Sequence, residues 1–210
     1  MDPSFNPWLK IWTQPRTTIA RLLYESPTRG FWFLAIIYGF SNALNWFQSM
    51  MMGRHLGVMH IFTIALVLSP LWGYVGFSVW SWVVHFTGKW LKGEGTFKEI
   101  RFAYAWSCFP LIINVFLWFV LALFFGRNLF SDLSPGSQAF THGQVGVLFL
   151  ILLIRITTAI WSIVIYLNAL AEVRKFSILR AIGNVVIAGL IIGAVFYALV
   201  WVLMSLMQIK

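Results

Sequence analysis

Residues 149–167 read FLILLIRITTAIWSIVIYL, an apolar run interrupted by a single charge, Arg155. A stretch of about 20 apolar residues at about 1.5 Å per residue crosses a hydrocarbon core of roughly 30 Å. The run therefore reads as a membrane-spanning helix that carries a guanidinium near its middle. Working outward from it, four further apolar runs of comparable length appear.

The five spans are placed at 31–51, 60–86, 102–126, 145–171 and 178–207. With 60% hydrophobic and 10% charged residues in 210, the chain has more apolar surface than one soluble core can hide. The expected fold is all-α: an integral membrane bundle of five transmembrane helices (31–210), preceded by an interfacial amphipathic N-terminal helix in a cytoplasmic segment (1–30). The second and fourth runs are longer than a perpendicular crossing needs, so they should tilt, kink or project. The first 30 residues lack a continuous apolar core and carry Asp2, Glu25 and four prolines, which excludes a signal peptide. The lone Cys108 lies in the third span and reads as a small packed residue.

The net charge of +9 is unevenly distributed. Lys10, Arg16, Arg21 and Arg29 precede the first span, and Lys89, Lys92, Lys98 and Arg101 lie between the second and third. Arg174, Lys175 and Arg180 surround the turn between the fourth and fifth. Only Arg54, Arg127 and Lys210 fall on the other side. The bias places the N-terminus in the cytoplasm and the C-terminus outside, in the plasma (inner) membrane if the chain is prokaryotic. It also argues against nucleic acid as the partner, because the charge is sorted by membrane side. Anionic lipid headgroups are the expected partners of the basic side; a protein partner and self-association stay open.

Pro7 and Pro15 each stand at a helix start, where a missing N–H costs nothing. Ile19, Leu22 and Leu23 share a face of the second helix, and Trp8 and Trp12 have the amphipathic rings favoured at headgroup level. In GKWLKGEGTFKEIRFAYAWSCFP, 88–110, Thr96 and Glu99 have capping-box spacing, so a helix should begin there. The glycines of that loop lack the remainder of a nucleotide-binding pattern. The expected lipid or partner face comprises Trp8, Trp12, Arg16, Arg21, Lys89, Lys92, Glu99, Arg174 and Lys175.

Three stretches together resemble a known family: NPWLKIWTQPRTTI before the first span, the 88–110 segment, and YLNALAEVRKFSILRAIGN at the turn between the fourth and fifth spans. They are similar to the Yip family, membrane proteins with a Ypt/Rab-GTPase-interacting-protein domain, and look like its prokaryotic branch. The resemblance implies a five-helix polytopic protein with a cytoplasmic N-terminus, in a family whose eukaryotic members act in vesicle traffic. The chain lacks the Asp-Leu-x-Gly-Pro type segment those members carry, so GTPase binding does not carry over.

Arg155 lies about 15 Å from one end of its span, close to the midplane. A charge at that depth should face the bundle interior. Counting brings Asn42, Asn114 and Pro70 to similar depth, and Thr158 and Ser162 continue the polar stripe. Pro70 frees the carbonyl of Leu66, and Pro110 that of Trp106. The six acids, Asp2, Glu25, Glu94, Glu99, Asp132 and Glu172, all fall at or beyond the interfaces. Three partners for Arg155 remain: neutral oxygens and water, an anion such as a lipid phosphate, or an acid from another subunit.

Gly189 and Gly193, four apart in the fifth span, favour close helix packing, within the chain or with another. His55, His60 and His142 lack the companions of a metal site, and neither a nucleophile–base pair nor paired carboxylates occur at common depth. No metal, cofactor or enzymatic activity is expected. Two functions stay in view: a membrane-organising scaffold or adaptor working through the basic face, and a transporter or channel for a small molecule, ion or lipid, using the layer around Arg155.

Overall fold

A computed structural model describes residues 5–131 and 141–208, with side chains through Leu206. Asp2, Asp132 and Lys210 lie outside the described residues. Among the described residues eight α-helices run in order: α1 Pro7–Lys10, α2 Pro15–Glu25, α3 Phe31–Ser49, α4 Val58–Trp90, α5 Phe97–Ser107, α6 Ile112–Phe125, α7 His142–Arg174 and α8 Ile178–Gln208. Short 3-10 turns occupy Met52–Arg54, Phe109–Leu111 and Gly126–Phe130. Among the described residues there is no strand.

Four helical stretches are long and apolar enough to cross a membrane: Val58–Trp90, Phe97–Phe130, His142–Arg174 and Ile178–Leu206. By the same measure α3, with 19 residues and Ser41, Asn42, Asn45 and Gln48 among them, falls short. At 33 residues each, α4 and α7 are about 50 Å long, well beyond a hydrocarbon core of roughly 30 Å.

Local chemistry explains the boundaries. Pro7 and Pro15 occupy the first turns of α1 and α2. Thr96 and Glu99 form a full capping box at the start of α5, and Thr141 and Gln144 form another at α7. Proline acts differently at its two midspan positions. Helix α4 continues through Pro70, and the Ser69 hydroxyl donates to the Leu66 carbonyl at 2.7 Å, the acceptor that proline cannot serve. At Pro110 the helix gives way to a 3-10 turn that separates α5 from α6. The Ser162 hydroxyl of α7 donates to the Ser107 carbonyl at 2.7 Å, fixing α7 against this break.

The closest helix pair is α3 with α4. A Cβ on Gly39 would collide with the Ser69 carbonyl, and one on Gly73 with the Ala35 carbonyl, so the two backbones touch. Two buried clusters fill the bundle. One joins Ile19 and Leu22 of α2 to Phe77, Ile100, Trp106 and Leu170. The other joins Leu44, Ile61, Trp118, Leu121, Phe130 and Ile151.

The N-terminal segment differs from expectation. The apolar face of α2 turns onto the bundle rather than outward: Thr18, Ile19 and Leu22 are buried, and the helix packs on α5 and α7. Trp8 lies against Trp106 at a centroid distance of 4.5 Å, and Trp12 against Phe109 at 5.7 Å. Both rings are half-buried, each with an aromatic partner inside the chain.

Candidate functional site

Two arginines define the places where the bundle departs from plain apolar packing. The first is Arg174, the last residue of α7. Lys175 adopts the left-handed conformation (φ 55°), and the Phe176 N–H reaches back to the Ala171 carbonyl at 2.9 Å, a left-handed helix stop of Schellman type. This turn aims the Arg174 side chain into the end of α4. There Nη2 donates to the carbonyls of Val84 and His85 at 2.9 and 2.7 Å. Nη1 donates to those of Gly93 and Glu94 at 3.3 and 3.1 Å, and the Glu94 N–H returns a bond to the Arg174 carbonyl at 3.2 Å.

Arg174 is 1% exposed, so it is no part of the expected lipid or partner face. The carbonyls near the C-terminal end of α4 attract a cation, and the guanidinium fork meets four of them at once. A Cβ on Gly88 would strike the guanidinium, so that position admits only glycine without displacement. Beside it, the Thr87 hydroxyl donates to Oδ1 of Asn184 at 2.6 Å, which brings α8 into the same knot.

Around this knot the remaining cations divide. Lys89, Lys92, Arg29, Lys98, Lys175 and Arg180 are exposed. Arg21 pairs with Glu25 and Lys175 with Glu172, each at 2.7 Å, on surfaces where such pairs contribute little. Arg16 is half-buried with Nε covered. Glu99 is occupied as the cap of α5, accepting from the Thr96 N–H at 2.6 Å and hydroxyl at 2.9 Å, rather than presented to a partner. A recess of about 380 Å³ beside the rim is lined by Phe31, Trp32, Tyr74, Lys98 and Arg101. Its Arg101 donates to Ser78 at 3.1 Å and lies 4.8 Å from the Tyr74 ring centroid.

The second arginine is Arg155. The layer expected around it does not assemble as a hydrogen-bonded unit. Asn42 donates to the Tyr38 carbonyl of its own helix at 2.9 Å, and Thr158 to the carbonyls of Ile154 and Arg155, both at 3.0 Å. Ser162 serves the break at Ser107. Asn114 has a buried Oδ1 without a hydrogen-bond partner among the described residues. Arg155 itself lies over the Trp118 ring at 4.8 Å. Short polar side chains on a helix reach a carbonyl one turn back more easily than a neighbouring helix, which is why depth alone does not predict contact.

Gly189 and Gly193 are exposed, and open space surrounds the positions their side chains would take. Among the described residues nothing lies within reach of those positions, while α8 meets α4 and α7 through Ala181, Asn184, Val185 and Ala188 and packs Ile191 and Ile192 on the same cluster. Among the described residues no group of three or more metal-ligating side chains comes together. Sequence reasoning missed Gly39, Gly73 and Gly88, whose partners are 30 or more residues away and leave no local pattern.

These features define a multi-pass helical membrane protein. The Yip1 domain model matches residues 9–202. The chain belongs to the Yip1-domain family. No curated protein and no solved structure matches it significantly.

Proposed function

We propose that this chain is a five-span membrane scaffold or adaptor whose basic end faces the cytoplasm and engages anionic lipid headgroups, with a cytosolic partner able to dock on the same rim. In this reading α3 also crosses the bilayer, seated on α4 by its glycine contact, so that the N-terminus is cytoplasmic and the C-terminus outside. The carrying observation is the split between cations. Lys89, Lys92, Lys98, Lys175 and Arg180 ring a rigid knot at one end. At the other end the exposed arginines among the described residues are Arg54 and Arg127, and Arg127 is turned back onto the carbonyls of Gly53 and Arg54 at 2.8 and 3.2 Å. The excess length of α4 and α7 supports a basic end that stands clear of the hydrocarbon. The transport reading is less supported, because Asn42, Thr158 and Ser162 direct their donors to backbone carbonyls.

The test is lipid selectivity. With the protein reconstituted in mixed bilayers, spin-labelled phosphatidylglycerol should be restricted by the protein in preference to phosphatidylcholine at low salt. Each lysine near the surface strengthens the attraction about fivefold, and salt screens it. Joint replacement of Lys89, Lys92 and Lys98 by glutamine should therefore remove most of the preference. Equal restriction of both lipids by the native protein would reject the proposal.

A further inference from the structure

At the end of the bundle away from the basic rim, α6 and α7 leave a cavity of about 310 Å³. Its walls include Leu121, Phe125, Leu148 and Leu152, together with the polar Gln48 and Arg155. Gln48 is held in place by donating to the Leu129 carbonyl at 3.0 Å. Arg155 is half-buried, yet its Nε and Nη2 are covered, and neither has a hydrogen-bond partner among the described residues. Those two N–H groups lie along one edge of the guanidinium, the edge that grips two oxygens of a phosphate or carboxylate side by side. The contact with Trp118 offsets only part of the cost of removing the cation from water. Snorkelling gives no relief, because Arg155 is about 20 Å along α7 from its start at His142.

We propose that this cavity is a lipid site, in which the phosphate of an anionic phospholipid takes the free edge of Arg155. An acyl chain lies along Leu121, Phe125, Leu148 and Leu152. The apolar walls match the chain and the lone cation matches the head; because the two N–H groups are covered, the side chains around them must shift for a phosphate to reach them. This site is separate from the basic rim and does not depend on the function proposed above.

Native mass spectrometry of the protein in a neutral detergent tests it, at salt high enough to screen the rim. Phosphatidylglycerol, phosphatidylcholine, oleate and inorganic phosphate are titrated in turn. The proposal expects phosphatidylglycerol to bind at least tenfold more tightly than the other three, and Arg155→Gln to abolish that margin. Leu152→Trp fills the cavity while keeping the charge, and should weaken the same binding at least fivefold. If Arg155→Gln fails to fold, Leu152→Trp decides. Unchanged phosphatidylglycerol binding in the variant that folds overturns the proposal, as does equal binding of oleate or of inorganic phosphate by the native protein. Loss of rim selectivity in the bilayer assay with this site intact would count against the proposed function alone.

Discussion

Replacing Arg174 by leucine is expected to destabilise the protein by about 3–5 kcal/mol, the largest effect of any single polar substitution. The buried guanidinium donates to four carbonyls from α4 and the following loop, at 2.7 to 3.3 Å. Leucine would leave Gly93 and Glu94 without these donors and would release the loop that leads into α5. Lysine keeps the charge but cannot span the same four oxygens, so Arg174→Lys should fall between the native protein and Arg174→Leu. Thermal unfolding in detergent, followed by tryptophan fluorescence, should give that order. Equal midpoints for all three would mean that the knot contributes nothing to stability.

The second large effect belongs to Gly73. Alanine is the smallest possible change, yet its methyl would overlap the Ala35 carbonyl of α3. Backbone cannot step aside as a side chain can, so α3 and α4 must separate, at a cost of about 3 kcal/mol or more. The comparison is Gly193→Ala, where open space surrounds the new methyl. That variant should be neutral or slightly stabilising, since alanine favours the helix by up to about 1 kcal/mol. Unfolding midpoints of the two variants, measured side by side, check the contrast.

That contrast also marks what a sequence can carry. Gly189 and Gly193 form a recognisable four-residue spacing yet have open space beside them among the described residues, whereas Gly39 and Gly73 make the tightest contact with no motif between them. Spacing along one helix is written locally; the choice of which helix face meets a neighbour is made by the whole bundle. Arg174 and Lys175 show the same limit. Adjacent and identical in charge, they differ because the left-handed turn at Lys175 sends one side chain into α4 and the other into the open. Helix starts with a local signal, by contrast, were legible, whereas the break of the third span at Pro110 and the shortfall of α3 were not. Pro7 and Pro15 at first turns, and Thr96 with Glu99, act over a few residues, and the structure places each as expected.

The Arg155 layer failed at the step from depth to contact. Counting residues gives a height in the bilayer, but a hydroxyl such as Thr158 finds its acceptor on its own helix before it meets another. Ser162 reaches across because Pro110 interrupts the third span and the Ser107 carbonyl is turned toward it.

The central claim is that the basic end is cytoplasmic and that α3 crosses the membrane to reach the opposite side. Single cysteines at Tyr24, Lys89 and His55, all exposed positions, test both parts in a Cys108→Ser background. With intact cells and a membrane-impermeant maleimide, the cysteine at 55 should be labelled at once, and those at 24 and 89 only after the membrane is opened. Labelling of 24 together with 55 would show that α3 does not cross, and labelling of 89 in intact cells would invert the orientation.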